Sequence, residues 1–302
     1  MTAPPLPEPV VARVAALLTR CRFPSAGADV ACAVSGGADS LTLLVLACAA
    51  GCRVTAIHVD HGLRVGSSLE ADVVAAAAQR FGAVMRRERV NLTAGPNLEA
   101  RARAARYGVL PAGALTGHTA DDQAETVLLN LMRGAGADGL AAMGPDCHPL
   151  LGLRRAETVA LCRDLRLEVV DDPSNHDPAY RRNRVRHELV PLLNDLAARD
   201  VVPVLVRQAS LLGSEARFLD SLAAGIDATV ARELVDAPLV LARRCVRNWL
   251  REGHGHPPDA ATVERVLAVA HGRVEATEVG GGRRVRRSAG RLVLSGPLPS
   301  RR

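Results

Sequence analysis

Between Asp29 and Met143, short apolar runs of strand length alternate with longer segments of helical periodicity. This alternation favours an α/β fold in which helices cover both faces of a parallel sheet. Ligands of such sheets bind beyond the carboxyl ends of the strands, so Ser35–Ser40, Asp60–Arg64 and Gly117–Asp122 are expected to line one crevice. We predict strands at Asp29–Val34, Val54–Val59, Val84–Val90 and Ala114–Thr116, and helices at Ser40–Ala50, Leu69–Phe81, Leu98–Leu110 and Ala120–Met132.

A glycine-rich turn, Ser35-Gly36-Gly37-Ala38-Asp39-Ser40, joins the first predicted strand to the first predicted helix. Adjacent glycines let the backbone approach an anion closely, while the serine hydroxyls and the free N–H groups of the helix start donate hydrogen bonds. An ordinary tight turn would also explain the glycine pair. The two serines and the acid around the pair favour a phosphate site and hence a nucleotide-using protein.

The length of 302 residues allows two domains. Residues 152–196 are charged and helical in pattern, with an irregular break at Asp171–Asn175. We predict a parallel-sheet nucleotide-binding domain over residues 1–200 and a smaller, mostly helical domain over residues 201–302 that ends in a basic β-hairpin. The evidence for the second domain is helical periodicity followed by a hairpin pattern, at Val204–Ala224, Pro238–Arg251, Ala260–Ala270 and Gly280–Leu294.

Polar residues follow the second predicted strand, in the segment His58–Arg64. Two histidines, an acid and an arginine are costly in a bare core. Asp60 and His61 are candidates to contact the base or ribose of a nucleotide, and Arg64 a phosphate. A polar loop that caps the sheet is the alternative.

The segment Gly117–Thr126 opens the helix after the fourth predicted strand. Thr119 and Asp121 suit helix caps. Asp122 and Glu125 are three residues apart and therefore share a helix face, with His118 just before them. Paired carboxylates suit a bound cation or amine, and a nearby imidazole suits proton removal.

All 38 basic side chains are arginines, which excludes a lysine nucleophile or Schiff base in the chain itself. Residues 281–302 carry seven arginines and no acid, which favours a polyanion partner such as nucleic acid. A high-GC genome that encodes arginine in place of lysine would explain the choice of arginine but not the missing acids. In the run Arg181–His187, Arg182 and Arg186 share a helix face, as phosphate contacts would require; a solvated face is the alternative.

No apolar run reaches the length of a bilayer span, and Met1–Pro9 has prolines and an acid where a signal peptide needs a basic and an apolar region. We expect a cytoplasmic protein without a membrane partner. The seven cysteines form no Cys-x-x-Cys pair and are expected to be buried, reduced thiols rather than metal ligands. The oligomeric state stays open, with a homodimer among the alternatives.

These motifs together carry a resemblance to a known family. The Ser-Gly-Gly-x-Asp-Ser turn resembles the pyrophosphate-binding loop of the PP-loop ATP pyrophosphatases, which split ATP into AMP and pyrophosphate. Over residues 29–196 the chain resembles, in order, the tRNA(Ile)-lysidine synthase family. The matching segments are His58–Arg64, Glu99–Arg103 with Arg106-Tyr107, Gly117–Thr126, Leu131–Met143, Pro149–Leu151 and Arg182–Arg186.

The resemblance implies a two-step reaction on the wobble cytidine of an isoleucine tRNA with a CAU anticodon. ATP, with Mg²⁺, adenylates the C2 oxygen and releases pyrophosphate; the ε-amine of free L-lysine then displaces AMP to give lysidine. Asp122 and Glu125 would hold the lysine ammonium, and Asp39 is a candidate Mg²⁺ ligand. Catalytic roles are implied for Asp39, His118, Asp122 and Arg186, and nucleotide binding for Ser35, Gly36, Gly37, Ala38, Asp39, Ser40, Asp60 and His61.

The chain departs from the family at His148, where arginine commonly precedes Pro-Leu-Leu, so no catalytic role is carried over there. The C-terminal part resembles the family chiefly around Gly280–Leu294. Three other functions compete: a tRNA thiolase, an ammonia-using synthetase with the same loop, and a non-catalytic tRNA- or nucleotide-binding module. Thiolases of the 2-thiocytidine type use paired cysteines, which are missing, and a binding module would have little use for His118, Asp122 and Glu125.

Overall fold

A computed structural model describes residues 8–60, 67–90, 101, 105, 108–171, 177–251 and 258–296. The chain forms two compact units, Met1–Gly213 and Ser214–Arg302. Most of the predicted helix Leu98–Leu110 and all but the first residue of the predicted loop Asp171–Asn175 lie outside the described residues. Among the described helices, none is both long and apolar enough to cross a membrane.

The first unit confirms the alternation of strands and helices from Asp29 to Met132, except for the predicted helix Leu98–Leu110, which the described residues do not test. Its elements, in chain order, are α1 (Glu8–Leu18), β1 (Asp29–Ala33), α2 (Ala38–Ala49), β2 (Arg53–Asp60), α3 (Ser67–Phe81), β3 (Val84–Arg89), β4 (Leu115–Thr116), α4 (Ala120–Met132), α5 (Ala137–Leu140), a 3₁₀ turn (Pro145–Cys147), α6 (Arg155–Asp164), α7 (Arg181–Arg184), a π-helical turn (Val185–Leu189) and α8 (Val190–Ala197). Helix α9 (Val202–Ala223) begins in this unit.

The four strands of this unit form one parallel sheet in the order β3-β2-β1-β4. In the pairing of β1 with β2, Asp29 lies opposite Arg53 and Ala33 lies opposite Ile57. In the pairing of β1 with β4, Cys32 lies opposite Leu115 and Ala33 lies opposite Thr116. The strand order reverses at β1, so the crevice beyond the carboxyl ends of β1 and β4 is the topological switch point, where ligands of open α/β sheets bind. The glycine-rich turn follows β1, and the segment that opens α4 follows β4. Two of the three segments expected at the crevice therefore meet there.

Helix α2 holds the glycine-rich turn in place. All of its residues from Ser40 to Ala47 are buried, which is the pattern of a helix that packs on every side. Side chains of α1 and α6 share its core, including Val14, Leu17 and Leu161. Close packing on several faces leaves the amino end of α2 little freedom to move.

The second unit is mostly helical, as predicted. It contains α10 (Ala231–Asp236), α11 (Leu239–Arg251), α12 (Ala260–Ala270) and an antiparallel sheet of β5 (Ala276–Glu278), β6 (Arg284–Ser288) and β7 (Arg291–Ser295) in the order β5-β6-β7. The predicted hairpin is confirmed as β6 and β7, whereas α10 and β5 were not predicted. The domain boundary at residue 200 and a tRNA-contacting role of this unit stay predictions.

Three arginines of the basic tail have partners within the second unit. Arg283 is buried and donates to the Leu250 carbonyl (3.3 Å), and Arg287 donates to the Ala270 carbonyl (2.9 Å). Arg291 pairs with Asp227 (3.0 Å). Fewer of these cations are therefore available to a polyanion than the charge pattern alone indicates. Arg283 and Arg287 instead donate to carbonyl groups near helix ends. Arg284 and Arg286 are exposed, and Arg301 and Arg302 lie outside the described residues.

All seven cysteines are free thiols, as predicted, and four of them are buried. Burial raises the pKa of Cys32 to about 12 and that of Cys48 to about 11. Such thiols stay protonated at neutral pH and are poor nucleophiles and poor metal ligands.

Candidate active site

The glycine-rich turn is shaped by its own hydrogen bonds. The Ser35 N–H donates to Ser40 Oγ (3.1 Å), which donates to the Gly37 carbonyl (2.9 Å). Gly36 has φ of +92°, and a Cβ there would lie 2.8 Å from Val170 Cγ2. Only glycine fits that position. The turn leads into the amino end of α2, where free N–H groups favour an anion.

Asp39, in the first turn of α2, faces helix α6. Its carboxylate accepts hydrogen bonds from Thr158 Oγ1 and from Arg155 Nε (3.1 Å). Burial raises the pKa of Asp39, and the opposing effects of Arg155 and Thr158 do not cancel it. The Thr42 hydroxyl also donates to the Thr158 carbonyl (3.2 Å), which ties α2 to α6 a second time.

Strand β4 brings a second segment against the turn. A Cβ on Gly117 would lie only 2.6 Å from the Asp39 carbonyl oxygen, so the two backbones can approach this closely only because residue 117 is glycine. His118 follows directly, and its Nδ1 is 2.7 Å from Thr116 Oγ1. The His118 ring packs against His148, with centroids 5.0 Å apart and planes tilted by 52°.

Helix α4 begins with a reciprocal cap. Thr119 is the N-cap, as predicted, and forms a capping box with Asp122, whose Oδ2 accepts from the N–H and Oγ1 of Thr119 at 2.9 Å. The prediction that Asp121 caps the helix is wrong. Asp121 accepts instead from the Arg155 N–H (2.8 Å) and from Arg154 Nη2 (3.0 Å), because the start of α6 offers it stronger donors.

Three arginines converge on the paired carboxylates of α4. Arg155 Nη2 donates to Asp122 Oδ1 (2.8 Å), and Arg155 Nη1 lies 3.6 Å from Glu125 Oε1. Arg182 Nε donates to Glu125 Oε2 and Arg186 Nε to Glu125 Oε1, both at 2.6 Å. The Glu125 residue is only 2% exposed, and so deeply buried a carboxylate requires charged partners. We call Asp39, Asp122, Glu125, Arg155, Arg182 and Arg186 the arginine–carboxylate cluster.

The cluster is balanced in charge, with three arginines and three carboxylates. Burial alone would raise the pKa of Asp122, but Arg155, Arg182 and the Thr119 N–H outweigh it and hold the pKa at about 2. His118 lowers it further. Burial likewise opposes the charge of Arg155, yet Asp122 and Asp39 raise the pKa of its guanidinium above the ordinary value.

Five of the predicted site residues therefore lie together, and they are Asp39, His118, Asp122, Glu125 and Arg186. Asp60 ends β2 at the same edge of the sheet, whereas His61 and Arg64 lie outside the described residues. The shared face of Arg182 and Arg186 is confirmed, and in the structure it meets carboxylates.

No sequence motif pointed to Arg155, Thr158 or Thr116 as site residues. One signal for Arg155 was present in the sequence: Arg154 and Arg155 stand at the amino end of α6, where the helix dipole disfavours cations. Basic residues at that position indicate acidic partners elsewhere in the fold. The threonines had no such signal.

His58 is a further buried polar group at the carboxyl end of β2. Its Nδ1 lies 3.0 Å from the Val34 carbonyl, next to the glycine-rich turn. Its Nε2 is buried and has no hydrogen-bond partner among the described residues. Buried polar atoms without a partner are uncommon in folded proteins.

Comparisons with known proteins match the chain to one family over most of its length. A family model described as a PP-loop domain matches residues 8–193. The tRNA(Ile)-lysidine synthase of Nocardia farcinica is 42% identical, over 78% of this chain and 80% of that protein. The tRNA(Ile)-lysidine synthase of Thermobifida fusca is 38% identical, over 96% of this chain and 98% of that protein.

A solved structure shares the fold at low sequence identity. The U34-tRNA thiolase NcsA from Methanococcus maripaludis, determined with its [4Fe-4S] cluster, superposes with a TM-score of 0.56 and 18% identity. The match covers 68% of this chain and 80% of that chain.

Proposed function

Because the chain belongs to the tRNA(Ile)-lysidine synthase family of PP-loop proteins, we propose that it joins free L-lysine to C2 of the wobble cytidine of an isoleucine tRNA with a CAU anticodon, using ATP. The observation that carries the proposal is the meeting of the glycine-rich turn with His118, Asp122 and Glu125 at the switch point of the sheet. The turn suits the phosphates of a nucleotide, and the acids suit an amine.

In the first step the C2 oxygen of the cytidine attacks the α-phosphorus of ATP, and pyrophosphate leaves. The turn Ser35–Ser40 would hold the departing pyrophosphate through its N–H groups and hydroxyls. Asp60 and His61 are proposed to contact the nucleoside. Buried His58 Nε2, which has no hydrogen-bond partner within the described part of the chain, offers an additional acceptor beside the turn.

Mg²⁺ fits this site only together with phosphate oxygens. Among the described residues, no group of three or more His, Cys, Asp or Glu side chains could hold a metal ion. In nucleotide sites, however, Mg²⁺ is usually held by one or two carboxylates plus phosphates and water. Asp39 is the carboxylate within the turn and is therefore the proposed ligand. When bound, the ion would offset the negative charge of the triphosphate.

The charge balance of the arginine–carboxylate cluster sets a condition on lysine binding. An ammonium placed between Asp122 and Glu125 would leave one positive charge uncompensated as long as Arg155, Arg182 and Arg186 all stay in place. The phosphates of ATP and tRNA are the natural partners for a displaced guanidinium. We therefore expect Arg182 or Arg186 to turn to a phosphate when lysine enters, which gives Arg186 its proposed catalytic role.

In the second step the ε-ammonium of lysine must lose a proton before its nitrogen can attack C2. The C2–O bond then breaks, and AMP leaves with the oxygen. His118 stands just before α4, acts electrostatically on Asp122, and is the proposed acceptor of that proton.

The decisive experiment incubates the protein with ATP, radiolabelled lysine and unmodified isoleucine tRNA that carries a CAU anticodon, and then digests the RNA to nucleosides. We expect a labelled nucleoside from the wobble position. A methionine tRNA with the same anticodon is the matched control and should stay unlabelled. If no label enters the isoleucine tRNA while an established lysidine synthase succeeds in parallel, the proposal is wrong.

Two variants separate the steps. Asp39→Asn should block adenylation, measured as ATP–pyrophosphate exchange in the presence of tRNA. Glu125→Gln should preserve that exchange and lower the transfer of lysine. Glu188→Gln is the control, since Glu188 also pairs with an arginine, Arg184, but at the surface. Equal loss of exchange in the Asp39 and Glu125 variants would contradict these roles.

The thiolase alternative finds no support in the cysteines. All seven are free and scattered, and no described cluster could hold a metal. The likeness to a thiolase structure shows the fold alone. A homodimer and a cytoplasmic location stay predictions.

A further inference from the structure

Thr116 lies next to the imidazole of His118 at the carboxyl end of β4. Its Oγ1 is 2.7 Å from His118 Nδ1 and 3.3 Å from the carbonyl oxygen of Cys147. Thr116 is buried, and both contacts are partly buried. The hydroxyl thus bridges a ring nitrogen and a backbone acceptor.

The direction of these hydrogen bonds follows from the chemistry of the groups. A hydroxyl donates one proton, and a carbonyl oxygen can only accept. When Thr116 donates to the Cys147 carbonyl, its oxygen is left to accept a hydrogen bond, and His118 Nδ1 must then carry the proton. In that tautomer the lone pair of the imidazole is on Nε2.

We propose that Thr116 is a positioning residue for the reaction, because it holds His118 with its proton on Nδ1 and so makes Nε2 the basic nitrogen. The identity of the proton donor, the lysine ε-ammonium, rests on the proposed function. The ammonium gives one proton to Nε2, and the resulting amine attacks C2 as AMP departs. Many activated nucleophiles use the same arrangement, in which a third group orients the base.

His148 packs against the ring of His118 and restricts the plane in which that ring lies. Its Nδ1 donates to the Gly144 carbonyl (2.9 Å), which anchors the second imidazole in contact with the first. A flipped His118 ring would place a carbon atom against the Thr116 hydroxyl and lose that hydrogen bond. Thr116 thus contacts Nδ1 of His118, and His148 packs against the ring of His118.

Two variants of similar shape test the proposal. Thr116→Val keeps the volume and removes the hydroxyl, whereas Thr116→Ser keeps the hydroxyl. The first readout is the protonated ring nitrogen of His118, observed by nitrogen-15 NMR of histidine-labelled protein and assigned with a His118→Gln variant. We expect the proton on Nδ1 in the unaltered chain and in Thr116→Ser, and a shift toward Nε2 in Thr116→Val. A proton on Nε2 in the unaltered chain, or no change in Thr116→Val, would overturn the proposal.

The second readout is the single-turnover rate of lysine transfer to preadenylated tRNA. Since general base catalysis contributes about 10²-fold or more, Thr116→Val should slow transfer at least about tenfold, and Thr116→Ser should stay within about threefold. ATP–pyrophosphate exchange and the lysine KM should hardly change. An equal loss in the serine variant would identify a packing role and overturn the inference. If the unaltered chain makes no lysidine, the proposed function fails, and the NMR readout still decides the tautomer.

Discussion

Replacing Asp122 with asparagine measures how strongly the arginine–carboxylate cluster stabilises a buried charge. Asp122→Asn keeps the size of the side chain and a carbonyl oxygen for the Thr119 cap, but it removes the negative charge beside Arg155 and Arg182. In the folded chain the pKa of Asp122 falls from 3.8 to about 2. One pKa unit corresponds to about 1.4 kcal/mol, so the substitution should lower the free energy of unfolding at neutral pH by about 2 kcal/mol.

The pH dependence separates this charge effect from a loss of packing. A group whose folded pKa is depressed contributes stability that is fully present above its unfolded pKa and is lost as the pH falls through the folded pKa. For Asp122 the contribution is complete above about pH 5, falls to about 1 kcal/mol near pH 3 and disappears well below pH 2. The unaltered and variant chains should therefore converge in stability as the medium is acidified.

The assay is urea unfolding followed by far-ultraviolet circular dichroism at about pH 7, 5 and 3. Trp249 is the single tryptophan and lies in the second unit, so its fluorescence reports that unit separately. Asp29→Asn is the matched control: Arg53 also lowers the pKa of Asp29, but this pair is at the surface and should contribute little. A loss well below about 1 kcal/mol at neutral pH, or a difference that is constant down to pH 3, would refute the reasoning.

Three further substitutions test the cluster, the glycine-rich turn and the basic hairpin. Arg182→Ala removes one cation from the balanced cluster, so the variant should bind labelled lysine more tightly than the unaltered chain in equilibrium dialysis without nucleotide. Arg184→Ala, at the surface, is the control and should leave the affinity for lysine unchanged. Equal affinities of the Arg182 variant and the unaltered chain would contradict the charge argument. Gly117→Ala places a Cβ 2.6 Å from a backbone oxygen of the glycine-rich turn. Because the turn must shift to relieve this contact, the free energy of unfolding in urea should fall by about 1–3 kcal/mol, and ATP binding should weaken. The double substitution Arg284→Ala with Arg286→Ala should flatten the salt dependence of tRNA binding; an unchanged slope would remove the hairpin from the tRNA surface.

Local periodicity and topology made the sheet predictable. The strands at Asp29–Ala33 and Arg53–Asp60 contain short runs with several apolar residues, and the glycine-rich turn stands between a strand and a helix in the sequence itself. The parallel arrangement follows because each strand is separated from the next by a crossover. The meeting of the turn with His118 also follows, since carboxyl ends of neighbouring parallel strands lie at one edge.

The partners of the acidic residues were not predictable in this way. Asp122 was assigned to the lysine ammonium, and in the structure it is both the reciprocal cap of α4 and the partner of three arginines. Arg155 is 116 residues from Asp39 in the chain, and no local pattern relates the two. The π-helical turn that contains Arg186 left no recognised signal in the sequence either.

The sequence by itself determined the parallel sheet, the phosphate-type turn and the acidic face of α4, because each depends on the order and spacing of residues within one segment. Only the tertiary structure decided that this acidic face is neutralised by Arg155, Arg182 and Arg186, and that Thr116 meets His118. These contacts depend on distances between segments that are remote in the chain. The reason is physical: a buried carboxylate selects whichever cation the packing of the helices brings within hydrogen-bond reach.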